Sequence, residues 1–280
     1  MDSLVTTQWL ADEIGASDLR IVDASAHLPD ANRDAAAEYL SAHIPGAVFL
    51  DLADLVDSAA RIENTAPSAE KFARRMQALG LGDGSRVVIY DDSAIRSAAR
   101  AWFLFRMFGA HSVAILDGGL QKWKAEGRAL AQGAETVRNR HYTAWSDARK
   151  LRDKGAMLAN IASGAEQVID ARSAARFAGS QPEPRPGLEA GHIPGSLNVP
   201  YSALFNADGT WKDKAGLATT FIAAGVDLSR PVVTSCGSGM TACVVAFALH
   251  LIGKNDVALY DGSWAEWGAD PETPKERTDA

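Results

Sequence analysis

The sequence predicts an α/β protein built from two similar domains, each a mostly parallel sheet flanked by helices. Segments of the first half recur in the second half in the same order, which indicates a duplicated domain. Within each half, short β-branched runs alternate with helical patterns, as in parallel sheets that are covered on both faces. The chain has 280 residues, of which 47% are hydrophobic and 22% charged, so it can form two ordinary cores.

Four pairs of segments carry the duplication. They are RIVDAS (20–25) with QVIDAR (167–172), AHIPGAVFLD (42–51) with GHIPGSLNVP (191–200), RVVIYDD (86–92) with PVVTSCG (231–237), and ILDGGLQKW (115–123) with LYDGSWAEW (259–267). One such pair could arise by chance, but four in the same order at similar spacing indicate two copies of one domain. We therefore expect an N-terminal domain over 1–127, a linker over 128–150 and a C-terminal domain over 151–280.

The elements of the first copy follow from local patterns. The chain begins with an amphipathic helix capped near Thr6 or Thr7, with Trp9, Leu10 and Ile14 on one face. Later helices end at glycines, which favour the left-handed conformation that closes a helix. The predicted strands are 19–23, 47–51, 86–91 and 112–116, and the predicted helices are 68–80 and 97–109. In the second copy, strand 231–235 is followed by helix 240–253.

Composition excludes several classes of function. The net charge of −7 argues against a general nucleic-acid binder, and no apolar stretch approaches the roughly 20 residues of a membrane span. Six scattered histidines include no helical HxxxH pair, so the sequence predicts no metal site. Two cysteines make no disulfide framework, and the beginning of the sequence does not resemble a signal peptide. The expected compartment is the reducing cytoplasm.

Cys236 is the candidate nucleophile. It stands in CGSGMT, between a predicted strand and a predicted helix, where open α/β sheets place their functional sites. Inward-facing loop amides and the helix N-terminus favour a thiolate, and Gly237 and Gly239 permit a tight loop. The alternative is that Cys236 is a small buried core residue. Cys243 lies inside the apolar helix, roughly 10 Å further along it, too far for a disulfide, and is expected to pack in the core.

The motifs CGSGMTA, the paired HIPG, DGSWAEWG and RFAGSQPEPRPG resemble the two-domain rhodanese superfamily, in its 3-mercaptopyruvate sulfurtransferase branch. The resemblance covers about residues 5–270. It implies two rhodanese-like domains with the active cysteine in the second. It also implies transfer of sulfur from 3-mercaptopyruvate through a Cys236 persulfide to thioredoxin, another thiol or cyanide, with release of pyruvate and without a cofactor.

The loop of residues 236–241 is the specific part of this resemblance. Thiosulfate sulfurtransferases of the family typically carry a cationic loop, whereas this loop is uncharged and offers the hydroxyl of Ser238. Related phosphatases need a Cys-x5-Arg pattern, and here Ala242 stands in place of the arginine. The residues of this loop expected to bind the substrate are Gly237, Gly239, Met240 and Thr241, and Ser238 is expected to be catalytic.

A 2-oxo acid substrate needs a cation for its carboxylate. Arg176 and Arg185 lie on either side of a proline-rich loop, and the forked guanidinium group fits a carboxylate at two points. The resemblance assigns both arginines to substrate binding. The alternative is that both are solvated surface charges.

The resemblance also implies an Asp–His–Ser relay for protons. The residues that match it best are Ser238, His43 and Asp34, with Asp30 as a second choice for the aspartate. Imidazole exchanges protons near neutral pH, which suits such a role. The alternative is that His43 makes a structural hydrogen bond in its turn, since the twin motif carries His192 at the same place.

The first copy and one further segment depart from the catalytic pattern. Asp91 stands where the second copy has Cys236, so the first domain is expected to be non-catalytic; Arg100 has no assigned role. Met240 replaces a usual valine, and SAARIENTAPS (58–68) replaces a stretch with Thr-Ser-Pro and His-Met-Leu-Pro motifs in the family. Two alternative functions stay open, a thiosulfate sulfurtransferase and a low-turnover persulfide carrier, whereas arsenate or phosphate chemistry lacks its arginine.

Overall fold

The computed structural model describes residues 1–278 and divides into two units. The N-terminal unit comprises residues 1–58, 66–147 and 206–211, and the C-terminal unit comprises 59–65, 148–205 and 212–280. Each unit therefore takes in one short segment that lies in the sequence range of the other.

The N-terminal unit is built on a five-stranded sheet in the order β1-β5-β4-β2-β3, in which every neighbouring pair is parallel. The strands are β1 (Leu4–Val5), β2 (Leu19–Asp23), β3 (Ala47–Phe49), β4 (Arg86–Tyr90) and β5 (Val113–Leu116). The middle strand β4 has four consecutive buried residues, because helices cover both faces of a parallel sheet.

The helices of the N-terminal unit begin and end where the sequence provides caps. They are α1 (Thr7–Glu13), α2 (Ala35–Ser41), α3 (Ala69–Ala78), α4 (Ala98–Met107) and α5 (Gly119–Ala125). Thr6 caps α1 by accepting a hydrogen bond from the Trp9 amide, and Ser68 caps α3 through the Lys71 amide. The predicted helices at the chain start and at 68–80 and 97–109 are thus confirmed, with ends shifted by a residue or two.

The C-terminal unit repeats this arrangement. Its sheet has the order β6-β10-β9-β7-β8, again parallel throughout, and β9 takes the central place that β4 has in the first sheet. The strands are β6 (Leu151–Arg152), β7 (Gln167–Asp170), β8 (Leu197–Asn198), β9 (Val232–Ser235) and β10 (Val257–Tyr260). The helices are α6 (Lys154–Ser163), α7 (Ala174–Ala178), α8 (Lys214–Ala223), α9 (Ala242–Leu251) and α10 (Ser263–Trp267).

The matching strand orders confirm the fold class predicted from the repeats, namely two tandem α/β domains with parallel sheets. Equivalent core positions are filled alike: Trp123 in α5 and Trp267 in α10 are both fully buried. The two units therefore use the same residues of the repeat to close their cores.

Residues 128–147 differ from the prediction of a separate linker, because they cluster with the N-terminal unit. Ala131 forms an antiparallel bridge with His43, and the Trp145 amide donates to the Phe108 carbonyl oxygen. These backbone bonds hold much of the predicted linker on the first unit. Among residues 1–278, no helix is long and apolar enough to cross a membrane.

Candidate active site

The cysteine loop, residues 236–241, joins the central strand β9 to helix α9 of the C-terminal unit. Cys236 follows the carboxyl end of β9, and Thr241 is the N-cap residue of α9. The predicted strand-to-helix position of the cysteine is therefore confirmed. Gly239 has φ +76°, a conformation that favours glycine, whereas Gly237 does not use a positive φ.

Ser263, which the sequence reasoning missed, bonds the cysteine loop at its first residue and at Gly239. Its hydroxyl accepts hydrogen bonds from the amides of Cys236, at 3.3 Å, and Gly239, at 3.1 Å, and donates to the Tyr260 carbonyl oxygen at 2.8 Å. The side chain is fully buried and its backbone has φ +49°, which a serine rarely adopts. The signal was DGSW in the fourth repeat pair, where the first copy has DGGL.

Cys236 itself is shielded, with 1% of its surface exposed. A sulfur donor can reach this thiol only after neighbouring side chains move. Cys243 is fully buried in α9 and its thiol donates to the Gly239 carbonyl oxygen at 3.2 Å, which confirms its place in the core. Both cysteines are free thiols.

Two guanidinium groups lie next to Gly237. A Cβ atom placed on that glycine would stand 3.1 Å from Nη2 of Arg176 and 3.8 Å from Nη1 of Arg185. The structure thus brings both predicted arginines to the cysteine loop. The role of Gly237 is to leave room for these side chains, since any Cβ would press against the Arg176 guanidinium.

A buried carboxylate, Glu183, orients Arg176. Glu183 Oε2 accepts from Arg176 Nη2 at 2.5 Å, and its other oxygen accepts from Arg172 Nη1 at 2.8 Å. The Glu183 side chain is 1% exposed, so two arginines compensate a single buried charge. Glu183 stands between the two predicted arginines in the sequence, but nothing in the pattern QPEPRPG shows that it is buried.

Arg172 binds both Glu183 and Asp170 and so connects the Glu183–Arg176 pair to the sheet. It forms an ion pair with Asp170 at 2.6 Å, and its guanidinium lies 4.3 Å from the ring centroid of Trp264. Asp170 ends β7, and Trp264 follows Ser263 in α10. The side-chain orientation of Arg176 thus depends on Glu183, which Arg172 binds, and on the ion pair between Arg172 and Asp170 at the end of the sheet strand.

The segment 59–65 contributes two side chains to the same site. Asn64 Nδ2 donates to Ser238 Oγ at 3.1 Å, and Glu63 pairs with Arg185 at 2.9 Å. Both residues belong to the C-terminal unit although they precede it in the sequence. This stretch differs from the family pattern, so the residue that bonds the Ser238 hydroxyl lies in the segment that differs.

The predicted Asp34–His43 contact is wrong. Asp34 caps α2 by accepting from the Ala37 amide, and Asp30 is exposed in a short 3₁₀ helix. One ring nitrogen of His43, Nδ1, bonds the Tyr39 carbonyl oxygen at 2.8 Å, and the other faces Glu135 at 3.7 Å.

The twin His192 has the same surroundings. Its Nδ1 bonds the Phe177 carbonyl oxygen at 2.7 Å, its ring stacks on Phe177, and its Nε2 faces Glu276. His43 likewise stacks on Tyr39 and is fully buried. The structural alternative therefore accounts for both HIPG histidines, each of which bonds a backbone carbonyl oxygen of the preceding helix, α2 or α7.

The N-terminal unit has no thiol at the equivalent loop, residues 91–97. There the Asp91 carboxylate accepts hydrogen bonds from the amides of Ala98, at 2.6 Å, and Ser93, at 3.4 Å. Burial raises the pKa of Asp91 to about 6, against the lowering effect of the bond from Ala98. The same fold position thus directs backbone amides at an anionic group.

The fold and the site together define a class of protein: two α/β units with parallel sheets, one of which carries a cysteine after its central strand. A family model for the rhodanese-like domain matches residues 6–126 and 153–270, once in each unit. The chain belongs to the rhodanese family.

The chain is similar over almost its full length to sulfurtransferases of known name. Human 3-mercaptopyruvate sulfurtransferase is 41% identical over 271 residues, covering 95% of this chain and 91% of that protein. Bovine thiosulfate sulfurtransferase is 39% identical over 280 residues, covering 97% and 94%. The crystal structure of SseA from Escherichia coli, described as a 3-mercaptopyruvate sulfotransferase, has a TM-score of 0.86 and 37% identity, covering 94% of this chain and 99% of that one.

Proposed function

We propose that this chain is a 3-mercaptopyruvate sulfurtransferase. The observation that carries the proposal is the meeting of Arg176 and Arg185 beside Gly237, one residue from the Cys236 thiol. A 2-oxo acid with a sulfur on its third carbon presents its carboxylate and its sulfur at opposite ends, which suits a cation pair next to a nucleophile. The names of the human and Escherichia coli relatives support this substrate.

The proposed reaction begins with attack of the Cys236 thiolate on the sulfur of mercaptopyruvate. An S–S bond forms, the C–S bond breaks, and its electron pair passes into the carbon fragment as the enolate of pyruvate. The cysteine sulfur is oxidised and the carbon fragment is reduced. A proton then reaches the enolate carbon, and pyruvate leaves a Cys236 persulfide behind.

Loop residues have separate roles in this scheme. The amides of Cys236 and Gly239 bond Ser263, so we assign stabilisation of the thiolate and the persulfide to the other amides of the cysteine loop at the start of α9. The amides of Ser93 and Ala98 bond the Asp91 carboxylate in the other unit in a similar way. Ser238 donates its hydroxyl proton to the enolate oxygen as charge develops there. Arg176 and Arg185 bind the carboxylate, and Met240 and Thr241 border the substrate.

A second thiol completes the cycle by attacking the outer sulfur of the persulfide. Thioredoxin, a small thiol or cyanide would each serve, since each is a nucleophile that accepts one sulfur atom. We assign the reaction to a reducing compartment, the cytoplasm, because the proposed nucleophile has to remain a thiol. His43 and Asp34 have no part in the proposed scheme, since their contacts are structural.

Thiosulfate is the second candidate donor, favoured by the bovine relative and by the two arginines, which would also bind a dianion. Steady-state kinetics with both donors on one preparation tests the choice. We expect a higher kcat/KM for mercaptopyruvate, with pyruvate and transferred sulfur in equal amounts. A far higher kcat/KM for thiosulfate would overturn the proposed substrate.

A further inference from the structure

Asn64 is bonded to the hydroxyl of the cysteine loop, although it comes from a distant part of the sequence. Its Nδ2 donates to Ser238 Oγ at 3.1 Å, and both residues belong to the C-terminal unit. Next to it, Glu63 pairs with Arg185 at 2.9 Å. The segment 59–65 therefore holds two of the groups that the proposed reaction uses.

The backbone at Asn64 is also unusual. It has φ +60°, in the left-handed region that non-glycine residues seldom adopt outside special sites. Asparagine tolerates this conformation better than most residues, so its side chain can be presented from a sharp turn. A glycine would fit the backbone equally well, and the asparagine therefore adds an amide group at that turn.

The direction of the Asn64 bond sets what Ser238 can do. Because the amide occupies a lone pair of the serine oxygen, the hydroxyl proton stays available for a second acceptor. Donation to the oxygen also polarises the O–H bond and makes it a stronger donor. A carboxylate in place of the amide would have the opposite effect, since it can only accept and would take the serine proton.

We propose that Asn64 is a positioning residue that holds Ser238 as a hydrogen-bond donor to the substrate and thereby selects 2-oxo acid donors. This inference rests on the proposed function. A mercaptopyruvate fragment leaves as an enolate, whose oxygen gains charge as the C–S bond breaks and needs such a donor. Sulfite, which would leave from thiosulfate, is already a stable anion and has no enolate oxygen.

Kinetics of Asn64→Gly, Ser238→Ala and the double variant test the coupling. Glycine removes the amide without backbone strain at φ +60°. We expect Asn64→Gly to lower kcat for mercaptopyruvate about tenfold with little change in KM or in thiosulfate turnover. In the Ser238→Ala background the same change should have no further effect. Equal losses with both donors, or a full loss in that background, would show a merely structural role.

Asn64→Asp gives a second test with nearly the same side-chain shape. At neutral pH its carboxylate accepts from Ser238, so kcat for mercaptopyruvate should fall about tenfold below that of Asn64→Gly. Asn32 provides the matched control, since it also has a positive φ of 50° and lies in the N-terminal unit. Asn32→Gly and Asn32→Asp should keep the kcat of the unmodified protein.

The outcomes separate this inference from the proposed function. If the unmodified protein releases no pyruvate from mercaptopyruvate, the proposed function fails, whatever the variants do. If it releases pyruvate and Asn64→Gly and Asn64→Asp retain its kcat, the function stands and the role of Asn64 is overturned. Circular dichroism and thermal unfolding of each variant identify any loss that comes from misfolding.

Discussion

The loops that follow the two central strands differ in the side chain at their first position. After β4, the carboxylate of Asp91 accepts from the amides of Ser93 and Ala98 within residues 91–97. After β9, residues 236–241 place the thiol of Cys236 at the equivalent point, in a loop one residue shorter. The first loop thus holds a carboxylate of its own, whereas the second loop presents the thiol that we propose as the sulfur acceptor.

The supports of the two loops also differ. In the N-terminal unit, Gly119 approaches the loop so closely that a Cβ would lie 2.4 Å from the Asp91 carbonyl oxygen. At the corresponding place, the C-terminal unit has Ser263, whose hydroxyl bonds two amides of the cysteine loop. Only the second loop is flanked by Arg176 and Arg185. The two units therefore share the loop position and differ in the side chains around it.

The largest expected effect is the loss of the nucleophile. Cys236→Ser should abolish pyruvate release, because an alcohol at neutral pH is a far weaker nucleophile than a thiolate. Adding Asp91→Cys to that variant should not restore activity, since the first loop lacks the arginine pair. Cys243→Ser is the control and should stay active, as a hydroxyl can keep the bond to Gly239. Turnover by Cys236→Ser in a pyruvate assay would contradict the assignment.

Glu183→Gln should have the next largest effect. It removes the buried charge between Arg172 and Arg176, and breaking such an ion pair costs about 3–5 kcal/mol of unfolding free energy. The KM for mercaptopyruvate should rise as Arg176 loses its orientation. Chemical denaturation and kinetics measure the two effects.

Glu189→Gln is the control for the carboxylate of Glu183. Its side chain is 57% exposed and pairs with Lys275 at 3.2 Å, so the expected loss is below about 1 kcal/mol. Equal stability losses in the two variants would show that the buried network around Glu183 has no special role.

The pKa of Asp91 provides a test of the loop after β4 that does not depend on the cysteine loop. Its folded pKa of about 6 lies above the unfolded value near 3.9, so the folded state binds this proton more tightly. This contribution to stability is present below pH 4 and is lost as the pH rises to 6, by about 3 kcal/mol. Asp91→Asn should lack that decline. Parallel pH profiles of unfolding free energy for the two proteins would contradict the assigned pKa.

Ser263→Gly should have a smaller effect than Cys236→Ser, Glu183→Gln or Asp91→Asn. The substitution gives this position the glycine that the first unit has at Gly119. It removes the hydroxyl bonds to Cys236, Gly239 and Tyr260. Because glycine adopts φ +49° without strain, part of that loss is offset. The net loss of unfolding free energy should be about 1–2 kcal/mol, with kcat lowered about tenfold. An unchanged kcat would mean that the amides of the cysteine loop need no such anchor.

The sequence predicted the fold and the position of Cys236 because both produce local patterns. Repeated strand motifs set the two sheets, and CGSGMT between a strand and a helix located Cys236. The contacts of Ser263 with Cys236 and of Asn64 with Ser238 could not be predicted, since they join residues far apart in the chain. Glu183 is close in sequence to Arg172 and Arg176, but the pattern does not show that folding buries it between them. The sequence also could not show that His43 and Asp34 have separate partners, since Nδ1 of His43 bonds the Tyr39 carbonyl oxygen and Asp34 caps α2.

Mass spectrometry of the protein after incubation with 3-mercaptopyruvate tests most directly whether Cys236 is the sulfur acceptor. We expect the peptide that contains Cys236 to gain one sulfur atom, and to lose it when a thiol or cyanide is added. Release of pyruvate with the Cys236 peptide unchanged, or with the added sulfur on Cys243, would contradict a persulfide held by the cysteine loop.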